Sequence, residues 1–476
     1  MDAPATQPKQ TKQPLAVDLD GTLIRGDLFT EAMLRLAFTQ PWKLPLLLLW
    51  LMRGRAFAKA KLAIAFPPDA AHLPYDERVV AWLRQERVEG RVLALATASD
   101  ERAARAVADH VGAFDHVFAS DGATNLKSRR KGERLMAAFP EGFVYAGNEG
   151  ADVKVWRAST RAVVANASPA FSRAMAARFD IEHTFPRERA PLQALLTAVR
   201  PRHWAKNLLV FLPLLVGQGW YAAEAWRGAA LAFAALCLVA SSVYLVNDAA
   251  DIEADRRHPR KRLRPFASGA ASPAVGLLVA IAMLAGGLWV GALSGAFALV
   301  LAYLVAATLY TFWLKRVVLL DVFVLAGLYG LRIVIGGSAS GFPASDWLLA
   351  FSGFFFLSLA LVKRAAEVDA IRADLVGRGY RAADGPMLKR VGVGAGLIAA
   401  LVLALYLQAP AITSRYDAPT YLWVLPAAVT FWFAHVWLKV ERGEMHDDPL
   451  LFALRDPVSW GVALISGAAF AAAVLG

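Results

Sequence analysis

Cysteine is almost absent from this chain of 476 residues: Cys237 stands alone, inside an apolar run. A single thiol excludes a disulfide framework and a thiolate metal site. Charge is sparse too. Only 19% of residues are Asp, Glu, Lys or Arg against 57% hydrophobic, and the mean hydropathy is +0.43. These values exclude a soluble enzyme over the whole length and point to a polytopic membrane protein with a soluble part attached. Residues 1–14 lack an apolar core and are rich in Pro and Gln. They read as a disordered tail rather than a secretory signal, so the soluble part is expected in the cytosol. No internal repeat or low-complexity linker is visible. The formal net charge of +12 suits cytoplasmic loops and does not imply a nucleic-acid partner.

What is present divides into two halves. Residues 15–185 read as a soluble α/β domain, with apolar strands at 15–17, 92–96 and 143–146 separated by Ala- and Arg-rich helical stretches. That alternation predicts a parallel sheet with crossover helices. Residues 186–199 read as a linker, and 200–476 as an all-α membrane domain. Its apolar runs, at about 205–220, 227–246, 272–291, 294–313, 318–338, 346–362, 391–409, 419–438 and 457–475, predict nine transmembrane helices. Basic residues concentrate after helices two, four, six and eight: Arg256–Arg264, Lys315 and Arg316, Lys363–Arg390, and Lys439 with Arg442. Loops after three and five have none, and those after one and seven carry only Arg227 and Arg415. The positive-inside rule therefore puts the basic loops and the N-terminal domain in the cytosol and the C-terminus outside. The segment from Pro41 to Met52 is apolar but too short to span, so it reads either as a buried cap helix or as an interfacial anchor.

Two acidic motifs carry chemistry. Asp18 and Asp20 directly follow the first strand, in Asp18-Leu-Asp20-Gly21-Thr22-Leu23, the end of a strand where open α/β sheets place their sites. The spacing suits a carboxylate that attacks phosphorus beside a general acid/base, with Mg²⁺ neutralising charge. The plain alternative is an Asp-Gly turn. The second motif, Asn247-Asp248-x-x-Asp251-x-Glu253-x-Asp255, ends a long apolar segment and precedes Arg256, Arg257, Arg260, Lys261, Arg262 and Arg264. On a helix its three aspartates share one face, where like charges repel. A divalent cation bridging substrate phosphates offsets that repulsion; the plain alternative is a solvated acidic helix end balanced by the adjacent arginines.

The first motif resembles that of the haloacid dehalogenase-like (HAD) phosphatases. Thr97 matches that family's phosphate-binding Ser/Thr, and Lys131 its phosphate-stabilising lysine, with Lys127 as a rival. Gly147-Asn148-Glu149-Gly150-Ala151-Asp152 matches its acidic metal motif, with Asn148 standing where Asp is common. The resemblance implies a Rossmannoid domain, a small helical cap over about 27–90, and Mg²⁺ held by Asp18, Asp20, Asn148 and Asp152.

The membrane half resembles the UbiA superfamily of prenyltransferases, whose first Asp-rich motif corresponds to Asp248, Asp251 and Asp255 and holds Mg²⁺. Where that superfamily carries a second Asp-rich motif, this chain has Lys363-Arg364-x-x-Glu367-x-Asp369. A Lys–Arg pair suits direct phosphate binding; flanking positive charge at a cytosolic helix end is the plain alternative. Arg200-Pro-Arg202-His203-Trp204-Ala-Lys206-Asn207 and the basic run after the acidic motif are similar to the decaprenyl-phosphate phosphoribosyltransferase branch. That similarity implies a polyprenyl phosphate acceptor and phosphoribosyl diphosphate (PRPP) as donor. Asn247, Lys206, Lys261, Arg262, Lys363, Arg364 and Glu367 become substrate-site candidates. Asp321 is a candidate for a ribose hydroxyl or a salt bridge. Arg332, deeper in the same helix, needs a partner in Asp321 or a lipid phosphate. Tyr244 and Tyr310 are weaker candidates.

Together the two resemblances imply a bifunctional enzyme of a bacterial inner membrane: phosphoribosyl transfer in the membrane half, dephosphorylation of the product in the soluble half, and a precursor for a cell-envelope pentose glycan. Two alternatives stand beside it. One is conventional prenyl transfer from a prenyl diphosphate to an aromatic acceptor. The other is an N-terminal domain that only docks. Association into homo-oligomers is left open by an apolar membrane face.

Overall fold

A computed structural model describes residues 12–188, 190–371, 379–409, 414, 416–445 and 448–475. Most of the expected N-terminal tail, residues 1–11, lies outside the described residues, as do Arg415 and residues 372–378 of the basic loop. The chain forms two compact units: Met1–Val199 with Leu245–Leu278, and Arg200–Tyr244 with Val279–Gly476.

The first unit is built on a six-stranded sheet: β1 Leu15–Val17, β2 Leu93–Asp100, β3 His116–Ser120, β4 Val144–Gly147, β5 Arg161–Ala165 and β6 Ile181–Phe185. The order is β3-β2-β1-β4-β5-β6, and every pairing is parallel. With side chains alternating between two buried faces, β1, the first half of β2 and most of β4 are apolar at successive positions. Leu15 and Val17 face one buried layer with Leu93, Leu95, Val144 and Ala146. Ala16 faces the other with Ala94, Ala96, Phe143 and Tyr145. The three strands legible in the sequence are β1, β2 and β4, at the middle of the sheet; β3 and β6 form its edges and are only partly buried.

Residues 27–90 contain four helices, Leu28–Thr39, Leu44–Met52, Arg55–Ala65 and Glu77–Val88. In Leu44–Met52 only Leu47 is buried, against Leu36, Leu62 and Phe66. Trp42, Leu48, Leu49 and Met52 are exposed. A helix buried within the cap is therefore not what forms; nine residues rise only about 14 Å, too little to cross a bilayer.

Among the described residues, seven helices are long and apolar enough to span a membrane: Ala223–Ala250, Pro273–Leu293, Leu320–Ser340, Asp346–Asp369, Ala382–Gln408, Pro419–Glu441 and Pro457–Leu475. The count of nine is not reached, for two local reasons. The apolar helix Phe297–Phe312 has only 16 residues. The 205–220 run is a 3-10 helix, Pro201–Phe211, followed by the short helix Leu212–Val216. Pro213 lies in the first turn of that short helix, where its missing N–H is tolerated, and Gly217 caps its end, so the run forms two short pieces. Small residues bring elements of the second unit close. A Cβ on Gly336 would stand 1.9 Å from the Val210 carbonyl oxygen, and one on Gly228 1.9 Å from that of Ala339, the backbone approach typical of membrane bundles.

Candidate active sites

The first site lies at the C-terminal end of β1. Asp18 leaves the sheet with its N–H on the Ala146 carbonyl at 3.0 Å. The chain then turns through Gly21 at φ +79°, where a Cβ would strike the Asn148 side chain at 2.1 Å. The turn keeps Asp18, Asp20 and Asn148 on one cavity of about 490 Å³, also lined by Lys59, Lys127 and Lys131.

Inside it a relay of hydrogen bonds is complete. Lys131 Nζ donates to Asp18 Oδ1 at 2.8 Å and to Tyr145 Oη at 2.8 Å. The Tyr145 hydroxyl donates to Asp152 Oδ1 at 2.8 Å. Asp152 Oδ2 accepts from the N–H groups of Asn148 at 2.9 Å and Glu149 at 3.1 Å. Both Asp152 oxygens thus face protein donors, so its geometry is that of an anchor for Lys131 and the 147–149 turn. Asp20 accepts from the Ser99 hydroxyl at 2.6 Å and from Leu28 N–H at 2.9 Å. Thr97 is fully buried, its hydroxyl accepting from Ser99 N–H at 3.0 Å. Lys127 stands 3.5 Å from Glu149, so of the two rival lysines it is Lys131 that reaches Asp18.

Burial dominates the electrostatics. Asp18 is pushed up to about 6 by desolvation, with Lys131 opposing and Asp152 adding to the rise. Asp20 is pushed up to about 7 by desolvation and by the Asp27 charge. Lys59 is lowered by its burial, against the pull of Asp20 and Asp27. Two buried carboxylates, both raised by desolvation, beside buried lysines are the kind of cluster in which functional acid–base groups are found.

The Asp-rich motif also belongs to the first unit from Leu245 onward. The long helix ends at Ala250, and a short one, Ile252–Arg257, follows Asp251. Backbone bonds from Asp251 N–H to Asn247 at 2.9 Å and from Asp255 N–H to Asp251 at 2.8 Å carry the helical spacing across the break. Asp248 and Asp255 consequently converge: one nitrogen of Arg264 lies 3.1 Å from the first and 2.8 Å from the second. A single cationic atom bridging two carboxylates marks a point that a divalent cation would fit, since Mg²⁺ needs only one or two carboxylates with phosphate oxygens and water. In the cavity at the end of β1 the oxygens of Asp18, Asp20 and Asn148 provide a comparable donor set. Among the described residues no three acidic, His or Cys side chains already stand in metal-holding geometry. Asn247 donates to Asp248 at 3.5 Å, and Lys261 and Arg262 are exposed on the following turn.

In the second unit, Lys206 and Lys363 meet at one carboxylate, Asp448, at 2.6 and 3.5 Å. Burial would lift Asp448, but the two lysines hold it well below the usual carboxylate range. Arg364 is fully buried and pairs with Asp321 and Glu367, and Asp321 also accepts from the Tyr380 hydroxyl at 2.5 Å. This ties Arg364 to the fold. Arg332 does not pair with Asp321. Eleven residues separate them along one helix, a rise of about 16 Å. Arg332 instead donates to Asn207 Oδ1 at 2.9 Å and to the Tyr303 hydroxyl at 2.7 Å. Tyr244 carries Arg200 over its ring at 5.0 Å, and Tyr310 packs partly buried in the bundle.

Sequence reasoning missed Tyr145, Ser99, Lys59 and Asp448. Tyr145 reads as an apolar strand residue, and Lys59 as one cation on a basic helix. Asp448, in Asp447-Asp448-Pro449 after the helix that ends at Glu441, was the one with a signal: adjacent acids directly before a proline that opens a short apolar helix.

Residues 210–473 match the UbiA prenyltransferase family. A relative from Sinorhizobium fredii, the uncharacterized protein y4nM, is 38% identical over 473 residues, covering 97% of this chain and 91% of its own. A decaprenyl-phosphate phosphoribosyltransferase of Mycolicibacterium smegmatis is 41% identical over 187 residues, which cover 37% of this chain and 58% of that protein. Among solved structures, a substrate-bound phosphoserine phosphatase complex is similar over 40% of this chain and 99% of its own, at 16% identity and a TM-score of 0.28.

Proposed function

The chain belongs to the UbiA prenyltransferase family of membrane proteins, and from that premise we propose that it is a bifunctional enzyme. The membrane half transfers 5-phosphoribose from PRPP to a polyprenyl phosphate, and the N-terminal half removes the 5-phosphate from the product. The observation that carries the first step is that Lys363, at the position where the superfamily resemblance puts a second acidic cluster, stands with Lys206 on Asp448. The similarity to the mycobacterial phosphoribosyltransferase over 187 residues supports the same choice of substrates.

In the transfer, an ionised oxygen of the lipid phosphate attacks the anomeric carbon, the bond to the diphosphate breaks, and pyrophosphate leaves. No general base is needed. Asp248, Asp251 and Asp255 would hold Mg²⁺, whose charge would stabilise a leaving diphosphate. Lys206 and Lys363, oriented by Asp448, and the exposed Lys261 and Arg262 bind phosphate oxygens. Arg364, Asp321 and Glu367 hold the helix that presents Lys363.

In the second step Asp18 attacks the phosphorus of the 5-phosphate while Asp20 gives its proton to the leaving sugar oxygen. Water then cleaves the phosphoaspartate, with Asp20 taking a proton, and inorganic phosphate departs. Lys131 steadies the phosphoryl charge, and Tyr145 with Asp152 fixes Lys131. Asp18, Asp20 and Asn148 would hold a second Mg²⁺. On this reading the soluble half and the basic loops lie on the cytosolic side, as the positive-inside rule predicts.

The test uses purified protein in detergent with polyprenyl phosphate, ribose-labelled PRPP and Mg²⁺. Labelled lipid supports phosphoribosyl transfer. Absence of labelled lipid, with an aromatic acceptor prenylated from a prenyl diphosphate instead, would move the membrane half to conventional prenyl transfer. A second reading, an N-terminal domain that only docks, is favoured by the ion pairs it makes with the 252–257 helix; phosphate release unchanged in Asp18→Asn would support it.

A further inference from the structure

The phosphatase-like cavity is not closed by the N-terminal domain alone. Its lining includes Leu263, Phe266 and the run Ser268–Pro273, residues far away in sequence that follow the Asp-rich motif. Three features seat this loop firmly. Arg256 donates through both terminal nitrogens to Glu31 at 2.8 and 2.7 Å, and through Nε to the Ala267 carbonyl at 2.9 Å. One guanidinium thus joins the cap helix Leu28–Thr39 to the loop. Gly269, at φ +70°, lies so close to Arg25 that a Cβ would stand 2.6 Å from its side chain and 2.8 Å from its backbone. The loop also braces itself, with Ser268 N–H on Arg264 at 2.9 Å and Ala271 N–H on Pro265 at 3.0 Å.

The far end of this wall has a second identity. Pro273 lines the cavity and is also the first residue of the apolar helix Pro273–Leu293, long enough to cross a bilayer. Val275 and Leu278, in its first turns, are exposed. The cavity, about 490 Å³, is the size that takes a drug-sized head group and not a polyprenyl chain. A phosphorylated sugar fits inside, and an attached lipid has an apolar helix surface to follow out.

We propose that Ser268–Pro273 is the substrate-selecting wall of the phosphatase site, matching it to phosphomonoesters whose leaving alcohol is a lipid-linked sugar. This rests on the phosphatase reading of Asp18 and names its substrate class. The wall contacts the leaving group, not the phosphoryl group, so it affects selection and leaves the chemical step alone.

The experiment measures inorganic phosphate released by the full-length protein in detergent from two substrates, p-nitrophenyl phosphate and polyprenyl-phosphoryl-5-phosphoribose. Ser268→Trp and Ala270→Trp narrow the cavity beside the leaving group. Each should lower kcat/KM for the lipid substrate about tenfold or more and leave the small ester within about twofold. Leu278→Gln, on an exposed surface outside the cavity, should raise KM for the lipid substrate severalfold with kcat unchanged. Retained hydrolysis of the small ester reports an intact fold. Equal effects on both substrates in all three variants, or no effect on either, would overturn the proposal. The phosphatase reading fails differently: the wild-type protein would then hydrolyse neither ester, or Asp18→Asn would hydrolyse both as well as the wild type.

Discussion

Glu31→Ala should loosen the 252–273 segment while leaving the rest of the first unit folded. Glu31 and Arg256 form a two-pronged ion pair whose side chains are 14% and 6% exposed. Removing the carboxylate leaves the buried Arg256 guanidinium with the Ala267 carbonyl, at 2.9 Å from Nε, as its acceptor. Stranding one member of a buried pair costs about 3–5 kcal/mol in general. The partial exposure of Glu31 and the new freedom of Arg256 to swing outward reduce this, so about 3 kcal/mol is the working figure for opening the segment. At 1.4 kcal/mol per tenfold, that corresponds to about a hundredfold faster exchange of the amides the pair protects. The reporters are the N–H groups of His258, Arg262, Ser268 and Ala271, all hydrogen-bonded within the segment. Hydrogen exchange read by mass spectrometry in detergent resolves peptides covering 252–273 from peptides of β1 and β2. Arg256→Met should give a similar change, and the double variant should be less affected than the two effects summed. Unchanged protection of 252–273 in Glu31→Ala would refute the reasoning, as would equal loosening of the central strands.

Further outcomes follow from other sites. Lys131→Met should lower phosphate release about a hundredfold or more, because it removes the cation 2.8 Å from Asp18; a steady-state phosphate assay reads it. Arg364→Met should destabilise the membrane half by about 3–5 kcal/mol, since it strands the buried Asp321, and Arg364→Met with Asp321→Leu should recover part of that loss in thermal unfolding. Asp76 is buried, which raises its pKa, but the hydrogen bond from Arg78 and the charge of Arg25 outweigh burial and hold it below the ordinary value. A folded-state pKa below the unfolded one stabilises above about pH 4 and is lost as pH falls through the lower folded value. Asp76→Asn should therefore cost about 1–3 kcal/mol at neutral pH, and the gap from wild type should close in acid; unfolding followed against pH checks this.

The local signals in the chain were read well where chemistry and strand coincide. Asp18 and Asp20 follow an apolar strand, and the middle of the sheet, β1, β2 and β4, stands out because both its faces are buried. Edge strands such as β3 do not stand out, since one-sided burial leaves a mixed pattern. The bundle was legible from its apolar runs, but the first of them folds as a 3-10 helix followed by a short helix ended at Gly217, and apolarity alone does not register helix type or length. Side-chain partnerships were the hardest. Arg364 looks like a phosphate ligand from its neighbour Lys363, yet its guanidinium is held by Asp321 from another helix. Lys206 meets Asp448 across 242 positions. No periodicity encodes such pairs. The same holds for the loop after the Asp-rich motif: its basic residues read as phosphate ligands or flanking charge, whereas Arg256 and Arg257 pair with Glu31 and Asp69 of the N-terminal domain.

The central claim, two steps on one lipid, is tested most directly by supplying PRPP labelled in its 5-phosphate together with polyprenyl phosphate and following the label over time. The account predicts that label enters the lipid first and then appears as inorganic phosphate, while Asp18→Asn holds it on the lipid. Label that never enters the lipid, or that leaves it as fast in Asp18→Asn as in the wild type, would contradict the account.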